Sequence, residues 1–216
     1  MNTDAIEFLK ASEPAFAEHI GRIGPIILPP KRSPDPFLAL IESITYQQLA
    51  GSAAKAIWTR VLALFADQTP CAEVLLSLGD DQLRAAGLSR GKTLAMRDIA
   101  DKKLKGIVPN ARSISHMSEQ RIYEQLTQIR GVGRWTVEMM LIFTLRRPDI
   151  MPATDYGIRK GFQALYRKRA LPTPKQLEKF AQRWSPHRTT AALYLWRIAD
   201  GAKPIKKPVK RKSATS

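Results

Sequence analysis

The chain has 216 residues, 44% hydrophobic and 25% charged, enough for one large domain or two small lobes with a proper core. Its 35 Lys and Arg against 19 Asp and Glu give a net charge of +16, still +10 when the six cations of the terminal "KPIKKPVKRKSATS" are set aside, which points to a polyanionic partner: nucleic acid first, an anionic membrane surface second. A single cysteine, Cys71, excludes an internal disulfide, a cysteine-ligated zinc site and a four-thiolate iron–sulfur cluster; the polar "MNTDAIEFLK" does not read as a signal peptide, and "MMLIFTL" is too short to span a bilayer.

Nearly every segment has helical period, and no stretch alternates convincingly as a strand. In chain order the pattern predicts helices over Asp4–Lys10, Pro14–Ile20, Pro36–Leu49, Ser52–Ala66, Ala72–Leu76, Asp80–Ala86, Lys92–Lys103, Glu119–Ile129, Arg134–Thr144, Tyr156–Tyr166, Pro174–Trp184 and Pro186–Gly201. Thr173, Pro174 and Gln176 spell a capping box, and Ser185 with Pro186 repeats its first two roles. Proline-rich "GPIILPPKRSPDP" reads as a connector, and residues 203–216 as a disordered basic arm.

Two of these helices, Glu119–Ile129 and Arg134–Thr144, are joined by "RGVG". Gly131 and Gly133 permit positive φ and close backbone approach, Val132 docks between them, and the N–H groups opening the second helix suit a phosphate. Such a hairpin grips a strand's backbone without reading bases. Glycines alone are equally compatible with an ordinary helical hairpin.

The flanks add weight. Leu126, Ile129, Gly131, Val132 and Gly133, followed by Asp155 in "IMPATDYGIRKG", resemble the helix-hairpin-helix of base-excision DNA glycosylases. Trp135 with "DYGIRKG", and "DPFLALIESITYQQLAGSAAKAIW" around Gln47 and Gln48, look most like the 3-methyladenine DNA glycosylase II branch, the AlkA-type enzymes. The resemblance runs from about Ile6 to Ala202. The founding bacterial type carries, in addition, a β-rich N-terminal domain with no counterpart in these residues.

The resemblance implies an all-α, two-lobed fold with the DNA cleft between the lobes. One lobe covers about 36–145, with the hairpin at 119–144; the other combines 1–35 with 146–202. It implies Asp155 as the catalyst, its carboxylate stabilising an oxocarbenium-like sugar and orienting water; a second role for Asp155 is N-cap of the helix it precedes. Bifunctional relatives carry a nucleophilic lysine where this chain has Trp135, so base loss by water, without strand cleavage, is implied. An alkylated purine such as 3-methyladenine or 7-methylguanine is cationic, and an aromatic wall attracts it by about 0.5–2 kcal/mol. Trp135 is the first such wall, Tyr46 and Tyr156 are further candidates, and Gln47 joins the pocket. Phe16, Phe37, Trp58, Phe143 and Trp196 lie on apolar stripes and are assigned to the core.

Flipping the base out of the duplex leaves a gap to be filled. By resemblance the plug comes from "GLSRGK", with Leu88 as wedge and Ser89 or Arg90 at the tip. Gln47 and Gln48 approach the strands from the other side, and Ala50 stands where some relatives carry a larger minor-groove probe. Arg90, Lys92, Arg134, Thr136, Arg159 and Lys160 complete the DNA-binding candidates, alongside the hairpin residues.

His19, His116 and His187 show no metal-ligand spacing, and neither a phosphate loop nor a GxSxG elbow is present. No cofactor is expected, apart from the monovalent Na+ or K+ that this family commonly holds on hairpin carbonyls, here near Ile129 and Val132. The expected protein is a monomer acting on alkylated double-stranded DNA, without membrane contact, in a bacterial cytoplasm or a nucleus. A glycosylase of another base specificity and a non-catalytic module for distorted duplex remain as alternatives; the carboxylate beside an aromatic wall separates the second from an enzyme.

Overall fold

A computed structural model describes residues 3–26, 28, 35–49 and 51–201. Ala50 and residues 203–216 lie outside the described residues, and with them the minor-groove and basic-arm expectations.

The described residues form an all-helical protein with no strand among them. In chain order the helices are α1 (Thr3–Ser12), α2 (Pro14–Ile23), α3 (Pro36–Tyr46), α4 (Gly51–Leu62), α5 (Ala72–Ser77), α6 (Asp80–Ala85), α7 (Arg90–Leu104), α8 (Ala111–Ser115), α9 (Glu119–Leu126), α10 (Arg134–Met139), α11 (Tyr156–Leu165), α12 (Pro174–Ala181) and α13 (Arg188–Ala199). Starts are set by local chemistry. Asn110, Ser118, Asp155 and Thr173 each accept a hydrogen bond from a first-turn N–H, and Gln176 returns the bond to complete the capping box of α12. The last helix begins later than its sequence suggests. Ser185 Oγ donates instead to Asp149, which also accepts from the backbone and guanidinium of Arg188.

Two compact units divide the chain, one of Met1–Pro29 with Pro148–Ser216, the other of Pro30–Arg147. In the first, α11 packs along α13, and α1 and α2 close on α13 around Leu9, Phe16, Trp184 and Tyr194, all fully buried. In the second, α3 and α7 form the centre, covered by α4, α5 and α10, with Leu40, Ile41, Ile44, Met96 and Ile99 fully buried between them. No helix of the described residues is long and apolar enough to cross a membrane.

After α10 the backbone widens into a π-helical turn over Met140–Thr144, where the Leu145 N–H bonds to the Met140 carbonyl at 2.9 Å. The extra residue per turn rotates the face that follows.

Candidate active site and nucleic-acid interface

Asp155 begins α11. Its Oδ1 accepts the Ile158 N–H at 2.9 Å, the ordinary cap bond, and also the indole N–H of Trp196 at 2.8 Å. Two donors on one oxygen fix the rotation of the carboxylate. Trp196 reaches it because α11 carries glycine at 157 and 161, one turn apart on the same face. A Cβ at Gly157 would stand 2.9 Å from Trp196 Cδ1, and one at Gly161 would run into the Leu195 carbonyl. Trp196, assigned to the core from its apolar stripe, is therefore half-buried and bonded to the candidate catalyst. The paired glycines of "YGIRKG" were the signal that could have found it. Beside it, Tyr156 is 64% exposed, Lys160 is exposed, and Arg159 donates to the Pro172 carbonyl at 2.7 Å.

In the other unit the two hairpin glycines differ. Gly131 has φ +76°, and a Cβ there would come within 2.8 Å of Ala95 Cβ on α7, so both conformation and space demand glycine. Gly133 has φ −91° and open space, and serves as N-cap of α10; the positive φ expected of it is not used. Val132 is buried, with its N–H on the Ile129 carbonyl at 3.0 Å.

Several expected contact residues hold this hairpin in place. Gln47 Nε2 donates to the Gly131 carbonyl and to Thr136 Oγ1, each at 3.0 Å, which ties the end of α3 to the hairpin and takes Gln47 away from a pocket role. Thr136 is 1% exposed, so its side chain is internal and not at a DNA-facing surface. Lys92 Nζ donates at 2.8 Å to the carbonyls of both Thr45 and Gln47, satisfying the C-terminal end of α3; burial lowers its pKa, and its expected phosphate contact gives way to this capping role. Arg134 pairs with buried Glu138 at 3.0 Å and lies 4.7 Å over the Tyr123 ring, while its side chain stays 58% exposed. Gln48, at φ 57°, is exposed where α3 has ended.

The turn Gly87–Lys92 departs from the wedge expectation. Leu88 is 4% exposed, its side chain turned into the core and its N–H bonded to the Leu83 carbonyl, so no apolar tip projects there. Ser89 caps α7 by accepting from the Lys92 N–H, and Arg90 remains exposed.

An open pocket of about 310 Å³ lies between α3 and α10, lined by Ala39, Glu42, Ser43, Tyr46, Trp135, Met139, Phe143 and Thr144. Tyr46 and Trp135, two of the expected aromatic candidates, both line it. Phe143 was assigned to the core; the π-helical turn swings it outward to 42% exposure at the pocket wall. Glu42 is exposed as a residue, while partial desolvation at the pocket wall raises its pKa; burial together with the Glu42 charge raises that of Tyr46. Among the described residues no cluster of His, Cys, Asp and Glu could hold a metal ion.

The model of the HhH-GPD superfamily of base excision DNA repair proteins matches residues 41–187, a span that holds the hairpin, Asp155 and every pocket residue except Ala39. The chain belongs to this superfamily. Among its relatives, this HhH-GPD protein is 38% identical to DNA-3-methyladenine glycosylase 1 of Schizosaccharomyces pombe over 176 residues, 80% of this chain and 77% of that one. It is 31% identical to the alkylbase DNA glycosidase-like protein mag2 of the same organism, over 90% and 92% of the two chains. Its fold matches the Schizosaccharomyces pombe 3-methyladenine DNA glycosylase solved in complex with abasic DNA, with a TM-score of 0.86 and 34% identity over 90% of this chain and 96% of that one.

Proposed function

We propose that this protein is a monofunctional DNA glycosylase that flips alkylated purines such as 3-methyladenine and 7-methylguanine out of duplex DNA and releases them by water-mediated cleavage of the N-glycosidic bond. The observation that carries the reading is Asp155 Oδ1 held by both Ile158 and Trp196, a carboxylate fixed in direction in a member of a base-excision family.

The chemistry follows from the lesion. A base alkylated at N3 or N7 carries positive charge, so when the glycosidic bond breaks and its electron pair goes to the base, the leaving group departs neutral without a general acid. Positive charge then develops on the sugar, where the Asp155 carboxylate offsets it and directs a water whose oxygen bonds C1′ while its proton passes to solvent water. Tyr46 and Trp135 stack on the base. With tryptophan at position 135, no amine there attacks C1′, so no Schiff base forms and the strand stays whole.

The hairpin, Arg90, Arg134 and Lys160 contact phosphates of duplex DNA. A Na+ or K+ fits the hairpin, because a carbonyl has two lone pairs and that of Ile129 uses one on the Val132 N–H. With the Val132 carbonyl it would hold the ion, which would add positive charge facing the strand. The protein acts as a monomer, wherever the cell keeps its DNA.

Incubating the pure protein with methylated duplex and separating the released bases by chromatography tests the reading: 3-methyladenine and 7-methylguanine are expected in the supernatant. Borohydride should trap no protein–DNA adduct, and a trapped adduct would contradict the monofunctional assignment.

A further inference from the structure

Glu42, an exposed residue, stands on α3 one turn before Tyr46, so the two side chains share a face, and both line the 310 Å³ pocket together with Trp135 and Phe143. That volume is at the lower end of small-molecule sites, about 300–1,000 Å³, and suits a single purine. No Lys, Arg or His lines the pocket. Among the described residues Glu42 makes no hydrogen bond or ion pair, whereas Asp98, Asp101 and Asp149 each hold a cation. In a chain with 35 Lys and Arg against 19 Asp and Glu, a carboxylate without a cation at the wall of an aromatic pocket stands against the general balance of charge.

Aromatic walls stack any base, since every base has a π face, and so discriminate weakly between damaged and ordinary purines. Charge is what distinguishes them: an N3- or N7-alkylated purine nucleotide is a cation, and an ordinary one is neutral. A carboxylate at the pocket wall attracts a cationic base stacked there and offers a neutral base of the same shape no such gain. We propose that Glu42 is the specificity-determining residue of this pocket, its carboxylate selecting positively charged bases over neutral ones of the same shape. The inference rests on the reading that Tyr46 and Trp135 receive a base.

The test uses two free probes that differ by one methyl group and one charge: 3,9-dimethyladeninium, a fixed cation, and neutral 9-methyladenine. Their dissociation constants are measured on the full-length protein by tryptophan fluorescence. The native protein should prefer the cation. Glu42→Gln keeps the shape, removes the charge, and should weaken cation binding about tenfold or more, the factor that 1.4 kcal/mol represents, while the neutral probe binds as before. Glu42→Lys should weaken the cation further, and equal melting temperatures would show that neither variant acts through folding. Equal weakening of both probes, or a cation preference that survives in Glu42→Gln, would overturn the proposal. Neither probe is excised, so the two readings fail separately. A protein that prefers the cation but releases nothing from methylated DNA would overturn the glycosylase reading while supporting Glu42; one that releases 3-methyladenine but shows no Glu42-dependent preference would overturn Glu42 alone.

Discussion

The indole N–H of Trp196 meets Oδ1 of Asp155 at 2.8 Å across 41 residues of sequence, on the same oxygen that caps α11 through Ile158. The cap sets where the carboxylate sits, and the indole sets which way it turns. Trp196→Phe keeps the ring and deletes the donor. A hydrogen bond to a charged group contributes about 1.5–3 kcal/mol, so single-turnover base release should fall about 10- to 100-fold with DNA affinity and melting temperature little changed. Gly157→Ala, whose Cβ would displace the indole, should lower release in the same way. A Trp196→Phe rate equal to the native one would show that the carboxylate is oriented by other groups.

The two hairpin glycines should respond unequally to alanine. At Gly131 the substitution forces a side chain into the left-handed region, about 1–2 kcal/mol, and against Ala95, about 1–3 kcal/mol more. At Gly133 only the capping preference changes, about 1 kcal/mol or less. Urea denaturation of the two variants measures the difference, and a larger loss at Gly133 would contradict the geometry.

Lys92 and Arg90 are neighbours with separate expected phenotypes. Lys92→Met strips two carbonyls of their donor and should destabilise the fold by about 1–3 kcal/mol, leaving the salt dependence of DNA binding unchanged. Arg90→Ala should leave stability alone and reduce the slope of log affinity against log salt by about 0.9, one phosphate contact. Titrations at several salt concentrations decide between them; a reduced slope for Lys92→Met would return that residue to the DNA surface.

Much of this was legible in the sequence, for reasons that also mark the limits. Helical period located every long helix, and side-chain caps at Thr173 and Asp155 marked two starts directly. The GVG spacing announced the hairpin, since a left-handed glycine at 131 leaves a compositional trace. Short polar α8 escaped, because five residues carry too little periodicity. The end of α3 was placed at Leu49 instead of Tyr46, because a tertiary contact from Lys92 ends it and no local stop signal does. Phe143 and Trp196 were assigned to the core because an apolar stripe records burial but not what is buried: the π-helical turn re-aimed Phe143, and the glycine face of α11 drew Trp196 onto Asp155. Leu88 went the opposite way, an apolar residue in a turn that proved to be internal.

Base release by the native protein and by Asp155→Asn, measured side by side on methylated duplex at saturating enzyme, tests the central claim most directly. Asparagine caps a helix about as well as aspartate, so the variant should fold and bind DNA, while losing the charge that stabilises the sugar. The expected result is release of 3-methyladenine and 7-methylguanine by the native protein and a rate at least about 10²–10³ lower for Asp155→Asn, with duplex affinity retained. Near-native release by the variant, or none by the native protein, would contradict it.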